Sequence, residues 1–188
     1  NGSITIEEAR SVDTTLDLVE GFRFDSGYAA TAFVTDERRG IARYEDPLFL
    51  ITDAKLEKVE QILPALELAA REARPFIIVA EEIEGQALAA LIMNTIRGSM
   101  KVAAIKAPRY GEERRKIMSD LALATGGKFF RKSVGDDLSK VNLVDFGSAM
   151  TIEISKFMTT IVGGQGNHAS ISERISLLKQ EIEETESL

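Results

Sequence analysis

Residues 76–97 read FIIVAEEIEGQALAALIMNTIR. No polar side chain interrupts Phe76, Ile77, Ile78 and Val79, the pattern of a strand buried on both faces of a parallel sheet. Glu81, Glu82 and Gly85 close that strand, and Ala87, Leu88, Ala89, Ala90, Leu91, Ile92 and Met93 then follow in succession as a helix that is apolar nearly all round. A helix that only covers a core needs a stripe about 100° wide. The surplus face must be buried by a further element or kept open for a partner.

Working outward from this stretch, an α/β rhythm emerges. Residues 48–52 read as a short buried strand, Asp53 as an N-cap, and 55–72 as a helix interrupted by Pro64. Helices over 86–97 and 112–124 alternate with strands over 101–106 and 128–131. Strands separated by helices of this length imply right-handed parallel crossovers, so the expected fold class is α/β with a parallel βαβ core and flanking helices. Residues 22–34 and 151–162 are rich in β-branched and aromatic side chains with no helix between strands, which predicts additional β structure packed beside that core. Ile171, Ile175, Leu178 and Ile182 recur at helical spacing among charges, which predicts an amphipathic helix over 170–187. There is no internal repeat and no low-complexity linker.

Composition sets the outer limits. With 188 residues, 44% of them hydrophobic, the chain can bury a proper core. A net charge of -7 argues against a nucleic-acid partner, because phosphate binding needs a basic face. The lack of cysteine leaves no thiol nucleophile or zinc–thiolate site and suits a reducing compartment. No run of about 18 apolar residues and no basic-apolar leader is visible, so neither a membrane partner nor an export signal is expected. The chain opens at Asn1, and the expectation is a piece of a longer protein in which the sequon Asn1, Gly2, Ser3 arises by chance.

Several residues could carry chemistry. Ligands of parallel α/β sheets sit beyond the carboxyl ends of the strands, where Asp53, Glu81, Glu82 and Lys106 are expected to fall. Carboxylates with a lysine could hold magnesium and a phosphate, which defines one reading: a small metal-dependent, phosphate-processing α/β enzyme. Helix capping and dipole complementation explain the same residues without a ligand. Gly163, Gly164 and Gly166 fit a tight turn better than a phosphate cradle, and His168 has no cysteine or second histidine with which to share a metal. Arg109, Arg114, Arg115 and Lys116 are offset by Glu112 and Glu113 and read as a solvated helix turn.

The apolar surplus supplies the other reading. The 55–72 helix carries Leu56, Val59, Ile62, Leu63, Leu66, Ala69 and Ala70, again wider than one stripe, and right-handed crossovers place it beside the 86–97 helix. Two neighbouring helices with spare apolar positions make a groove. Its candidate lining is Leu63, Leu66, Leu88, Ile92 and Met93, and these flexible side chains can repack around varied partners.

Several separated stretches recur together in one known family: residues 19–28 (VEGFRFDSGY), 63–67 (LPALE), 78–88 (IVAEEIEGQAL), 101–108 (KVAAIKAP) and Thr125, Gly126, Gly127. In this order they resemble the apical domain of group I chaperonins of the GroEL type, over almost the whole chain. The resemblance implies a fold like that apical domain, with residues 1–20 as a strand or linker from the intermediate-domain side, 21–168 as the polypeptide-binding domain, and 169–188 as a C-terminal helix that stops before the return hinge. It implies a chaperone module that binds non-native polypeptides, and in the family a co-chaperonin lid, on one apolar surface within an ATP-driven, cytoplasmic, homo-oligomeric ring. Positions matching that surface are Tyr28, Phe33, Leu63, Leu66, Leu88, Ile92 and Met93, with Glu67, Asn94 and Arg97 at its polar edge. Gly21 matches the glycine hinge about which the domain swings. ATP and magnesium belong to the family's equatorial domain, so no catalytic residue, metal or cofactor is expected in these residues. The chain departs from the family where Ala30, Thr31, Ala32, Phe33 replace Ser-Pro-Tyr-Phe, at Ser26 and Ala90, and where Arg109 and Tyr110 alter a Gly-Phe-Gly turn.

Overall fold

The computed structural model describes residues 21–164. The expected linker over 1–20, the C-terminal helix over 169–188, Gly166 and His168 lie outside the described residues. In chain order the elements are β1 (Gly21–Phe24), β2 (Ala42–Glu45), β3 (Leu48–Thr52), β4 (Lys55–Leu56), α1 (Val59–Glu72), β5 (Phe76–Ala80) and β6 (Glu82–Ile83). There follow α2 (Gly85–Arg97), β7 (Val102–Lys106), α3 (Gly111–Thr125), β8 (Phe129–Phe130), β9 (Gly147–Ser148), β10 (Thr151–Ile154) and β11 (Thr159–Val162), with short 3-10 turns at Thr31–Phe33 and Leu138–Lys140 among others.

The fold is mixed α/β. Its centre is a sheet ordered β7-β5-β3-β8, all parallel, with β9 antiparallel to the start of β3. Every residue of β3 and β5 is buried, which is what their unbroken apolar sequence requires when both faces are covered. The chain steps from β3 through α1 to β5 and through α2 to β7, always toward the same edge, so right-handed crossovers put α1 and α2 on one face. From β7 it returns through α3 to β8 at the far edge, so α3 takes the opposite face, where it touches β1, β3, β8 and β9. The expected additional β structure is a second sheet, antiparallel and ordered β1-β11-β10-β2.

Two local expectations are corrected. Asp53 does not cap α1, because β4 intervenes and Lys58 occupies the N-cap position. The Gln61 side chain instead reaches back to accept the Glu57 and Lys58 N–H groups at 2.8 and 2.9 Å, satisfying donors that a helix start leaves over. Pro64 does not interrupt α1, which continues through it at the cost of the one backbone bond that proline cannot donate. Gly21, which the resemblance matches to the family's hinge, is the first residue of β1 and pairs with Val162; an added Cβ would lie 3.8 Å from Ile161 O.

Tyr44 of β2 reaches from the antiparallel sheet to the parallel one, its hydroxyl 3.4 Å from Val102 O of β7. That buried hydroxyl donates to Phe33 O at 3.0 Å, and burial pushes its pKa up to about 12. Among the described residues no helix is long and apolar enough to cross a membrane.

Candidate functional site

The position of each side chain on α1 follows from its neighbours. Ile62, Ala65, Leu66 and Ala69 are buried and define the face turned to the sheet. Gln61 shares a cleft with Leu138, and α1 touches the Leu138–Lys140 turn, so that flank looks toward β8. At 100° per residue the other flank carries Val59, Leu63 and Ala70 toward α2, with Glu67 toward solvent.

On α2 the inward residues are Ala87 and Leu91. The Thr95 hydroxyl donates to Val102 O at 3.1 Å, which fixes its flank, shared with Leu88 and Ile92, on the β7 side next to the Thr31–Phe33 turn. The opposite flank, facing α1, carries Ala90, Met93 and Arg97. Asn94 donates its amide to Ala90 O at 2.9 Å, and Ile96 points outward. The facing flanks of the two helices therefore carry Leu63 and Ala70 on one side and Ala90 and Met93 on the other. Leu63 and Met93 are each 44% exposed, and Ile96 is 68% exposed.

The expected surface is only partly assembled in this way. Phe33 is fully buried and Leu66 is 7% exposed, so neither is available to a partner. The 3-10 turn rolls Phe33 inward beneath Tyr44, and Leu66 lies in the sheet-facing stripe of α1. Leu88 and Ile92 are half-buried against the core on the flank away from α1. Tyr28 is half-buried at the β7 edge, where it bridges Ile105 and its hydroxyl donates to Gly40 O at 3.2 Å. Glu67 and Arg97 are exposed at the groove's border. Sequence reasoning missed Ile96, although its offset of five residues from Leu91 puts it on the outer face. Leu66→Ala should lower stability by about 2–5 kcal/mol in a denaturant titration, whereas Leu63→Ala should cost less than about 1 kcal/mol.

The carboxylates beyond the strand ends are each engaged by a different partner. Glu81 pairs with Arg114 at 3.0 Å and Glu82 with Lys106 at 3.4 Å, while Asp53 accepts the Lys132 N–H at 2.9 Å. Asp53 and Glu81 share a cleft of about 630 Å³ with Glu60, Lys132, Asp136 and Asp137. There the Arg131 backbone N–H, ahead of Lys128, holds the Asp136 carboxyl below its ordinary pKa, and the Ser139 hydroxyl and N–H do the same for Asp137. Among the described residues no group of three or more His, Asp or Glu side chains is placed to hold a metal ion. The basic cluster is likewise engaged: Arg109 pairs with Asp25 at 2.5 Å, Arg115 with Glu112, and Arg114 also lies over the Tyr110 ring at 5.3 Å. Gly163 follows β11 with φ 67°, in the region that favours glycine.

Compared with models of known protein families, the chain matches none.

Proposed function

We propose that the chain is the polypeptide-binding module of a chaperonin-like protein and holds non-native chains in the groove between α1 and α2. The observation that carries this reading is the exposure of Leu63 and Met93 on facing helix walls beside Ile96, in a helix whose core contacts need only Ala87 and Leu91. The family resemblance set out above supports it, and so does the backbone where the family has Gly-Phe-Gly. Arg109 and Gly111 both adopt positive φ, 60° and 55°, the region glycine favours.

The physics suits reversible, unselective holding. Burying a leucine, isoleucine or methionine fully contributes about 1.5–3 kcal/mol, so a few half-exposed ones give weak binding once ordering costs are subtracted. Several linked copies in a cytoplasmic ring would turn weak contacts into firm retention, and a co-chaperonin could compete for the same surface. Nucleotide chemistry with ATP and magnesium belongs, in this reading, to a part of the parent outside this sequence, so the present residues bind without catalysis. The metal-enzyme alternative gains no support from a side-chain set already engaged in separate pairs.

The test is titration with a permanently unfolded, reduced and alkylated protein. Wild type should bind it, and Leu63→Ser with Met93→Ser should weaken binding about tenfold or more while the variant still melts cooperatively. Absence of binding by the wild type, or equal binding by the double variant, would sink the proposal.

A further inference from the structure

The groove also has a chemical polarity, and what it implies rests on the polypeptide-binding reading. α1 and α2 each follow one parallel strand and lead into the next, so they run side by side in the same direction and their carboxyl ends lie together. At that end Ile96 is 68% exposed, and Met93, one turn earlier, is 44% exposed. Arg97 stands on the flank of α2 that faces α1, and Arg71 on the solvent face of the last turn of α1; both are exposed.

Among the described residues neither Arg71 nor Arg97 forms an ion pair, whereas nearby Arg74 is held by Asp46 at 2.8 Å. Glu67, four residues before Arg71, stands at the spacing of a helical ion pair and offsets part of its charge without forming one, which leaves Arg97 the less compensated of the two. Glu72 lies on the flank of α1 that looks toward β8. The helix dipoles place about half a negative charge at each carboxyl end, which reduces two full guanidinium charges without cancelling them. A chain of net charge -7 thus presents cations beside exposed apolar side chains at one end of its groove.

We propose that this end of the groove selects client segments in which a carboxylate directly adjoins apolar residues. The carboxylate meets the guanidinium groups of Arg71 and Arg97, whose planar forks match its two oxygens, and the apolar residues lie on Met93 and Ile96. The groove would then read the order of charge and apolarity along a client, and acidic clients that the rest of the surface repels would be held at this point.

Three fluorescently labelled peptides test it, sharing one apolar core and ending in two aspartates, two asparagines or two lysines, each titrated onto the full chain by anisotropy at low salt. The aspartate peptide should bind about two- to fivefold more tightly than the asparagine peptide, and the lysine peptide more weakly than either. The preference should vanish in Arg71→Gln with Arg97→Gln and at high ionic strength, while the asparagine peptide keeps its affinity for that variant and loses affinity for Ile96→Ser. Equal binding of the three peptides, or an aspartate preference that survives the arginine substitutions, would overturn the selectivity and leave the groove standing. Failure of all three peptides to bind would overturn the polypeptide-binding reading itself. Circular dichroism melts of these surface variants, expected to superimpose on wild type, show that the readout is binding and not folding.

Discussion

Gly27→Ala is expected to destabilise the protein by about 3 kcal/mol or more, lowering the midpoint of a thermal melt by roughly 6–12 °C. A Cβ at this position would overlap backbone atoms of Ser155 and Lys156, at the turn between β10 and β11. No rotamer relieves a clash made by Cβ itself, so the turn has to move. That turn is tied down: the Tyr28 N–H donates to Ser155 O at 3.3 Å, Thr159 Oγ1 donates to Ser26 O at 2.7 Å, and the Ser26 hydroxyl reaches Lys106 O. Displacing it therefore disturbs the seam between the antiparallel sheet and the end of β7. Gly98→Ala is the control, because it is strained by its φ of +72° but has open space around it; its cost should be about 1 kcal/mol. Equal melting points for the two variants would show that the close approach at Gly27 is not what holds these layers together.

Leu91→Ala should cost about 2–5 kcal/mol, or roughly 5–15 °C in the melt. Leu91 is fully buried and, with Ala87, is the anchor by which α2 sits on the sheet. Truncating it leaves a cavity between the helix and β5 or β7, elements already closed by fully buried Ile78, Val79, Ala104 and Ile105. Ile96→Ala, five residues along the same helix, removes a mostly exposed side chain and should leave the melt within about 0.5 kcal/mol of wild type. The pair separates the face of α2 that holds the fold from the face offered to a partner. If Ile96→Ala destabilised as much as Leu91→Ala, the outward assignment of Ile96 would be wrong.

The central sheet was legible because β3, β5 and β7 are written as unbroken apolar runs, and runs of that kind separated by helices admit few arrangements. The short pairs were not. β4 with β6 and the two-residue β9 owe their existence to tertiary pairing, and two residues carry no periodicity of their own. β2 did leave a signal, since Ala42, Arg43, Tyr44 and Glu45 alternate buried and exposed, but four residues beside a charged turn are a faint one.

For the site, the pattern identified which helices carry more apolar surface than a core needs, but not which of their residues stay open. Leu63 and Leu66 are three apart, and their fates differ because Leu66 falls in the stripe of α1 turned to the sheet and Leu63 on the flank toward α2. Likewise Leu88 and Ile92 fall on the flank of α2 opposite Met93, a distinction that needs the position of β7 to be drawn. Phe33 depended on a turn whose direction no local spacing encodes.

The margins of the parallel sheet bear on a hazard particular to a protein that would handle unfolded chains. β8 and β9 divide one edge of β3 between them, β8 taking Ile51 and Thr52 and β9 taking Leu48 and Phe49. The outer edge of β7 is met by the segment at Tyr28 and Ala29, which bridges Ile105 and donates an N–H to Ala104 O at 2.8 Å. Long apolar strands with free backbone groups are templates for foreign strands and for aggregation. Among the described residues the parallel sheet's long apolar strands, β3, β5 and β7, are thus met on both sides by other segments, so a bound chain meets side chains on a helical surface before it meets their ladder.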